Sequence, residues 1–325
     1  MKARRRTLTT SALAGTVLLA GCATTTDGTV GKSDAAEYQL TLAVVPGQDI
    51  GLIYAPEVQD IFTDHDVSLE VTEIGGNEAV DSVESKKFDL AYSSYVPPIL
   101  GLDEGKGLRV ISGLSNLGPA GNNGSTLVQK DSGIKTWADL ADKTVATQSA
   151  TSISSLALQA AIRKDGGDGA KPATLDPTPS GKIVAETVTG NVSAGELVEP
   201  YVSAGMGNYP DQLVDIGDAK EYVLGEDTPL TAFFTTTETA DSKTAAFDAF
   251  RSALDEAVEF GNANPDAVKR GSAGQAGLSE EVALTLPDSV FASSATADEL
   301  KPVVDLMLDM KWIAKAPDLG TFAAG

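Results

Sequence analysis

The feature that most restricts the fold is a regular alternation of short apolar strands and helices, which begins near residue 38. Residues 40–45 predict a strand that ends at Pro46-Gly47, and apolar residues then recur at helical spacing from Gly51 to Phe62. Strands that are separated by helices favour mostly parallel pairing, with the helices packed on the faces of the sheet. The sequence therefore predicts an α/β fold.

The same alternation occurs twice. A first run covers about residues 38–112, and a second begins near Lys143 and extends to about Ile216. A strand at 232–237 and a long helix at 242–263 follow, and their apolar residues need a partner surface that the first run can supply. About 290 residues are enough for two domains of ordinary size. We therefore expect two α/β domains, the first completed by the C-terminal segment.

The N-terminus predicts an export signal. Four basic side chains precede a short apolar run at residues 12–20, which is too short to cross a hydrocarbon core of ~30 Å as a permanent anchor. The run ends in LAGC, which resembles the lipobox of bacterial lipoproteins. We expect residues 1–21 to be the signal peptide, Cys22 to carry the lipid, and residues 22–37 to form a flexible tether. The alternative is an ordinary secretory signal with an incidental cysteine.

Charge and the scarcity of two residue types exclude several functions. The formal net charge is −22, and removal of the four basic residues of the signal leaves −26, which excludes a nucleic-acid partner. Cys22 is the sole cysteine and His65 the sole histidine. A Cys/His metal site, a disulfide or a Ser-His-Asp triad is excluded unless His65 takes part, and His65 lies in a predicted turn. We expect no catalytic residue, no metal site and no cofactor.

Several phrases at the predicted element boundaries carry a family resemblance. They are GLIYAP from Gly51, GGN from Gly75, KFDLA from Lys87, and STLVQKDSGI from Ser125, followed by WADL from Trp137. Together they resemble the periplasmic-type binding proteins for nitrate, aliphatic sulfonates, taurine and thiamine precursors. The resemblance covers roughly residues 38–270.

The resemblance implies a type II binding protein, in which two α/β lobes close on a solute. Each lobe is a mostly parallel sheet flanked by helices, and two crossing strands join the lobes. In this sequence the crossing strands are expected near 126–130 and 232–237. Lobe I is then discontinuous and comprises 38–125 and 238–325, whereas lobe II comprises 131–227.

In an open α/β sheet, the crevice outside the carboxyl ends of the strands collects helix N-termini and unpaired backbone donors. Four segments fall there. The one that opens a helix at Ser149 to Ser152 suits a sulfonate, nitrate or carboxylate oxygen, although plain N-capping needs the same residue types. None of the four contains Arg or Lys, so a strongly anionic solute is disfavoured. The candidates are Gln48, Asp49, Ser93, Ser94, Tyr95, Asn122, Asn123, Ser149, Thr151 and Ser152.

Two further candidates lie in a Glu-Pro-Tyr phrase. Glu199, together with Asp49, is expected to pair with an amine or an aminopyrimidine, and Tyr201 offers a stacking face. The phrase also resembles a recurring one in the family, so a structural role for Glu199 within its lobe is the alternative.

These observations predict a monomeric, extracytoplasmic lipoprotein, held to the cell membrane by Cys22, that delivers a small organic or oxyanion solute to an ABC permease and its ATPase. One alternative is a sensor or assembly lipoprotein that uses the same cleft. A third hypothesis is an enzyme, because the family resembles a pyrimidine synthase that consumes a histidine, but the Cys-rich iron motif of that enzyme is missing from this sequence.

Overall fold

The computed structural model describes residues 36–118, 124–294, 296–320 and 322. The predicted signal peptide, Cys22, most of the tether, and the candidates Asn122 and Asn123 lie outside these residues. No helix in the described part of the chain is long and apolar enough to cross a membrane.

The described strands form two sheets, one from each alternating run. The first has the order β11-β4-β10-β3-β1-β2 and the second the order β7-β6-β8-β5-β9. We call the half of the molecule built on the first sheet lobe I, and the half built on the second lobe II. The strands are β1 (Tyr38–Val44), β2 (Val67–Glu73), β3 (Leu90–Ser94), β4 (Leu108–Asn116), β5 (Gly124–Gln129), β6 (Thr144–Thr147), β7 (Thr174–Pro177), β8 (Ala194–Val198), β9 (Leu213–Asp215), β10 (Pro229–Thr236) and β11 (Val290–Phe291).

Helices cover both sheets, as the alternation predicted. A short 3-10 helix at Trp137–Leu140 precedes β6. The α-helices are α1 (Gly51–Tyr54), α2 (Pro56–Asp64), α3 (Ala79–Glu84), α4 (Val96–Asp103), α5 (Ile153–Gly166), α6 (Ser180–Thr189), α7 (Tyr201–Asn208), α8 (Ala219–Val223), α9 (Thr237–Ser242), α10 (Thr244–Ala263), α11 (Pro265–Ala276), α12 (Glu280–Ala283) and α13 (Lys301–Asp309).

In each sheet, the strand that follows a crossing between the lobes runs antiparallel to both of its neighbours, and β11 at the edge of the first sheet is also antiparallel to β4. β5 lies antiparallel between β8 and β9, and β10 lies antiparallel between β3 and β4. The two crossing connections pair with each other, because Leu117 N donates to Thr228 O at 2.8 Å and Asp227 N donates to Leu117 O at 2.9 Å. The predicted crossing segments therefore fall largely within β5 and β10, and the hinge position and lobe boundaries remain predictions.

The C-terminal segment completes the core of lobe I. The ring of Phe250 on α10 lies 5.1 Å from that of Phe233 on β10 and 5.5 Å from that of Phe62 on α2, centroid to centroid. Phe233 in turn contacts Tyr92 on β3 at 5.3 Å. These four side chains are nearly or fully buried, so α10 finds the partner surface that its apolar spacing required.

Two helices differ from the sequence prediction. The helix expected from Gly51 to Phe62 is divided at Ala55, whose extended backbone precedes Pro56 at the first position of α2. A proline disfavours helical geometry in the residue before it, which explains the break. The sequence prediction also lacked α11, whose small residues allow close packing instead of an apolar stripe. A Cβ on Gly271 would lie 2.1 Å from Gly51 O of α1.

Candidate functional site

A partly enclosed cavity lies between the lobes, where β1, β3, β6 and β8 end. It has a volume of about 80 Å³. Because a single water needs roughly 10–15 Å³ of such space, the cavity is large enough for several atoms of a small solute. Both lobes contribute to its wall, so a solute inside it would contact both sheets at once.

The structure brings half of the predicted site residues together in this cavity. Four of them come from the ends of β1 and β3 in lobe I, and two from the loop that enters α5 in lobe II. Their part in binding a solute remains a prediction. They are Gln48, Asp49, Ser93, Ser94, Ser149 and Ser152.

Four other predicted residues lie outside the cavity wall. Tyr95 is fully buried in the core of lobe I, because it precedes α4 and turns inward. Thr151 lies next to the cavity wall and has its hydroxyl 3.2 Å from Ser149 Oγ. Glu199 accepts hydrogen bonds from Ser203 N at 3.0 Å and Ser203 Oγ at 2.8 Å, which matches the structural alternative. Tyr201 lines a neighbouring, wider cleft.

The wider cleft adjoins the cavity and shares three residues of its wall. Its volume is about 640 Å³, and its wall includes Glu73 and Tyr201. Pro46, Gly76 and Gln148 belong to the walls of both spaces. These three residues therefore stand between the cavity and the wider cleft.

Direct hydrogen bonds join the lobes around the cavity. Gln148 Nε2 donates to Pro46 O at 2.7 Å, and Ser149 Oγ donates to Asn77 Oδ1 at 2.6 Å. Ile153 N, at the start of α5, donates to Ser94 Oγ at 3.2 Å. The lobes therefore touch through polar groups on two sides of the cavity.

Asp49 is the buried carboxylate of the lobe I wall. It accepts hydrogen bonds from Ile50 N at 3.1 Å and Thr231 Oγ1 at 2.8 Å, and another from Ser115 Oγ. Burial raises the pKa of the neighbouring Tyr92 well above its usual range, and the charge of Asp49 and a hydrogen bond to it add to this effect. Several donors from the protein therefore surround Asp49.

The lobe II wall contains a buried charge cluster that sequence reasoning missed. Lys220 on α8 lies with its Nζ 3.0 Å from Asp218 Oδ1, and both side chains are nearly inaccessible. Glu196 on β8 completes the cluster. Burial raises the pKa of Glu196 to about 7, whereas the positive charge of Lys220 opposes this rise and the negative charge of Asp218 supports it.

Lys220 and Glu196 both line the cavity. Its wall therefore includes residues outside the four predicted segments, and one of these residues is basic. One sequence signal was available for Glu196, which is a charged residue inside the apolar strand β8. Lys220 gave no such signal, because the phrase DAKEY is typical of an exposed helix start.

The N-terminus of α5 is capped by the protein itself. Ser152 Oγ accepts from Ser155 N at 3.1 Å, and it donates to Ser149 O at 3.1 Å. Ile153 N is also occupied, because it donates to Ser94 Oγ. These contacts match plain N-capping, which was the alternative to an anion site at this helix.

Substitution of Ser152 by alanine is expected to lower the free energy of unfolding by about 1 kcal/mol, because the N-cap is lost. Solute affinity should change by less than twofold, since the hydroxyl proton already has an acceptor. Urea unfolding and solute titration would measure the two effects, with Thr151→Ala as the control for a neighbouring hydroxyl that caps nothing. A large loss of affinity with unchanged stability would instead assign Ser152 to the solute.

Two lobes that enclose a cavity at their strand ends define the periplasmic-binding-protein fold. Solved structures share it. The alkanesulfonate-binding protein of Xanthomonas axonopodis pv. citri bound to MOPS has a TM-score of 0.70 at 17% identity, over 87% of this chain and 96% of that one. The periplasmic aliphatic sulphonate-binding protein of Escherichia coli has a TM-score of 0.66 at 20% identity, over 89% and 98%. The nitrate-binding protein of Synechocystis PCC 6803 has a TM-score of 0.63 at 13% identity, over 77% and 70%.

The family model described as NMT1/THI5 like matches residues 48–268, which is more than half of the chain. The chain belongs to the NMT1/THI5-like family. No curated protein sequence matches it. The two-lobed α/β fold and the family resemblance that the sequence predicted are both confirmed.

Proposed function

We propose that this protein is an extracytoplasmic solute-binding lipoprotein that captures a small solute between its lobes and delivers it to an ABC importer. The observation that carries the proposal is the cavity between the lobes. Residues at the strand ends of both lobes form its wall. A solute that contacts both walls stabilises the closed arrangement, and closure is the signal that a permease can recognise.

The position of the sole histidine supports a receptor. His65 follows the last residue of α2, and its Nε2 lies 3.0 Å from Glu256 Oε2 of α10. It is not part of the cavity wall. The histidine of the enzyme hypothesis is therefore away from the place where a solute would bind.

The proposed anchor suits delivery. The tether that the sequence predicts for residues 22–37 would join the lipid on Cys22 to the lobes. Such a tether keeps the lobes near a membrane permease and raises their effective concentration there. The strongly acidic composition keeps the protein hydrated and soluble at that surface.

A bound solute is expected to stabilise the mature protein by about 2.7 kcal/mol at a hundredfold excess over its Kd. The melting temperature should then rise by several degrees. We would test taurine, alkanesulfonates, nitrate and aminopyrimidines by thermal shift, and identify by mass spectrometry any small molecule that denaturation releases from the purified protein. Absence of both a stabilising solute and a released molecule would contradict the proposal, and so would chemical turnover of a solute.

A further inference from the structure

Four of the hydroxyl protons around the cavity already have acceptors on the protein. Ser93 Oγ donates to Ser94 O at 2.9 Å, and Ser149 Oγ donates to Asn77 Oδ1 at 2.6 Å. Ser152 Oγ and Thr231 Oγ1 donate to Ser149 O and to Asp49 in the same way. A bound oxyanion needs donors, and these four hydroxyls cannot offer theirs without breaking a contact that holds the cavity together.

One buried acceptor of a residue in the cavity wall, in contrast, lacks a donor in the described part of the chain. Gln48 lines the cavity and is 4% exposed. Its Nε2 donates to Pro287 O, which establishes which end of the amide is the nitrogen. Its Oε1 is buried and has no hydrogen-bond partner among the described residues. A buried acceptor without a donor is unfavourable, and an N–H group of a bound solute would remove that penalty.

The charges of the cavity wall also favour a cation. Asp49 faces the cavity from lobe I and Glu196 from lobe II. Lys220 is the sole basic side chain among the described residues of the wall, and Asp218 already pairs with it at 3.0 Å. Lys220 Nζ also lies 3.5 Å from Ser154 Oγ, so two of its three donors face groups of lobe II. The cavity wall together with Asp218, the partner of Lys220, therefore carries a net negative charge when the carboxylates are ionised.

We propose that the cavity takes a small organic cation, such as an amine, an amidine or a guanidine, whose N–H groups donate to Gln48 Oε1 and face the carboxylates of Asp49 and Glu196. The inference rests on the proposed function, because it names the class of solute for the same cavity. It also distinguishes this chain from the sulfonate- and nitrate-binding proteins that share its fold, since their named solutes are anions.

Isosteric pairs of opposite charge test the inference. Guanidinium and nitrate are both planar and trigonal, and acetamidinium and acetate differ mainly in charge. Calorimetric titration of the mature protein at pH 8 and equal ionic strength, with each solute at millimolar concentration, is expected to show at least tenfold tighter binding of the cation in each pair. The sizes of the four probes match the small cavity.

Glu196→Gln is expected to lower cation affinity about tenfold at pH 8. In the unsubstituted protein, affinity should also fall as the pH decreases from 8 to 6, because the pKa of Glu196 lies at about 7 and protonation removes a negative charge. Lys220 and Asp218 are the other charged groups that face Glu196, and both remain in this variant. Glu186→Gln on α6, outside the cavity, is the matched control and should leave affinity and its pH dependence unchanged.

Tighter binding of the anion in both pairs would overturn the solute class and leave the proposed function standing. Binding of none of the four probes would also overturn the inference. In that case, the small molecules released by denaturation decide separately whether the protein binds a solute at all. An unchanged cation affinity in Glu196→Gln would remove Glu196 from the recognition of the solute.

Discussion

Gly76→Ala is expected to weaken solute binding by about 5- to 150-fold while each lobe remains folded. Gly76 belongs to lobe I, and a Cβ on it would lie 2.4 Å from Gln148 O and 2.8 Å from Ser149 Cβ of lobe II. The closer of these atoms is backbone, which has little freedom to move away. Overpacking of this kind costs about 1–3 kcal/mol. Because only the closed arrangement brings the atoms together, the cost appears as lost affinity, roughly 5- to 150-fold.

Titration of a stabilising solute and small-angle scattering in its presence would measure this effect. The variant should remain more open, with a larger radius of gyration, than the unsubstituted protein. Gly75→Ala is the matched control, because the nearest atoms to its Cβ all belong to the flexible side chain of Glu78 in the same lobe. Gly76 has no positive φ, so alanine is not strained there by its own backbone. Affinity within twofold of the unsubstituted protein would contradict the closure geometry.

Lys220→Met is expected to lower the free energy of unfolding by about 3–5 kcal/mol at pH 8. Removal of one partner from a buried ion pair leaves an uncompensated charge, and here it leaves Asp218 with Glu196 beside it. The matched control is Lys171→Met, whose ion pair with Asp142 is 70% and 68% exposed. An exposed pair contributes at most about 1 kcal/mol, so this control should be nearly neutral. Urea unfolding of both variants would measure the difference.

The loss in Lys220→Met should be smaller at pH 5.5 than at pH 8. Folding raises the pKa of Glu196 from 4.5 to about 7, so its contribution to stability is full below pH 4.5 and is lost as the pH rises through 7. At pH 5.5 Glu196 is mostly protonated, and the missing lysine leaves only Asp218 as an unpaired charge. An equal loss at both pH values would show that Glu196 and Lys220 do not interact.

The sequence predicted the order and kind of most elements because these depend on local patterns. Apolar spacing located α5 and α10, and the Pro46-Gly47 break located the end of β1. The same reasoning failed for α11, since its packing depends on a glycine of a distant helix and not on an apolar stripe. The division of the first helix at Ala55 did have a local signal, Pro56, but the apolar spacing across it predicted one continuous helix.

The position of the candidate site was also predictable. Parallel strands deliver their carboxyl ends to one edge, so Gln48, Ser94 and Ser149 were expected to meet there, and they do. The direction in which an individual side chain points was less predictable. Tyr95 turns into the core and Glu199 caps α7, although both lie next to residues of strand ends.

The sequence by itself determined the two alternating runs, the family and the edge at which the cavity forms, because periodicity and strand order act over short stretches of chain. Only the tertiary structure decided the charge of the cavity. Glu196 and Lys220 lie on different elements, and their burial and interaction exist only when β8 and α8 pack together. The electrostatic energy of a buried group depends on neighbours in space and on exclusion of water, and neither is encoded in the local pattern that identifies a strand or a helix.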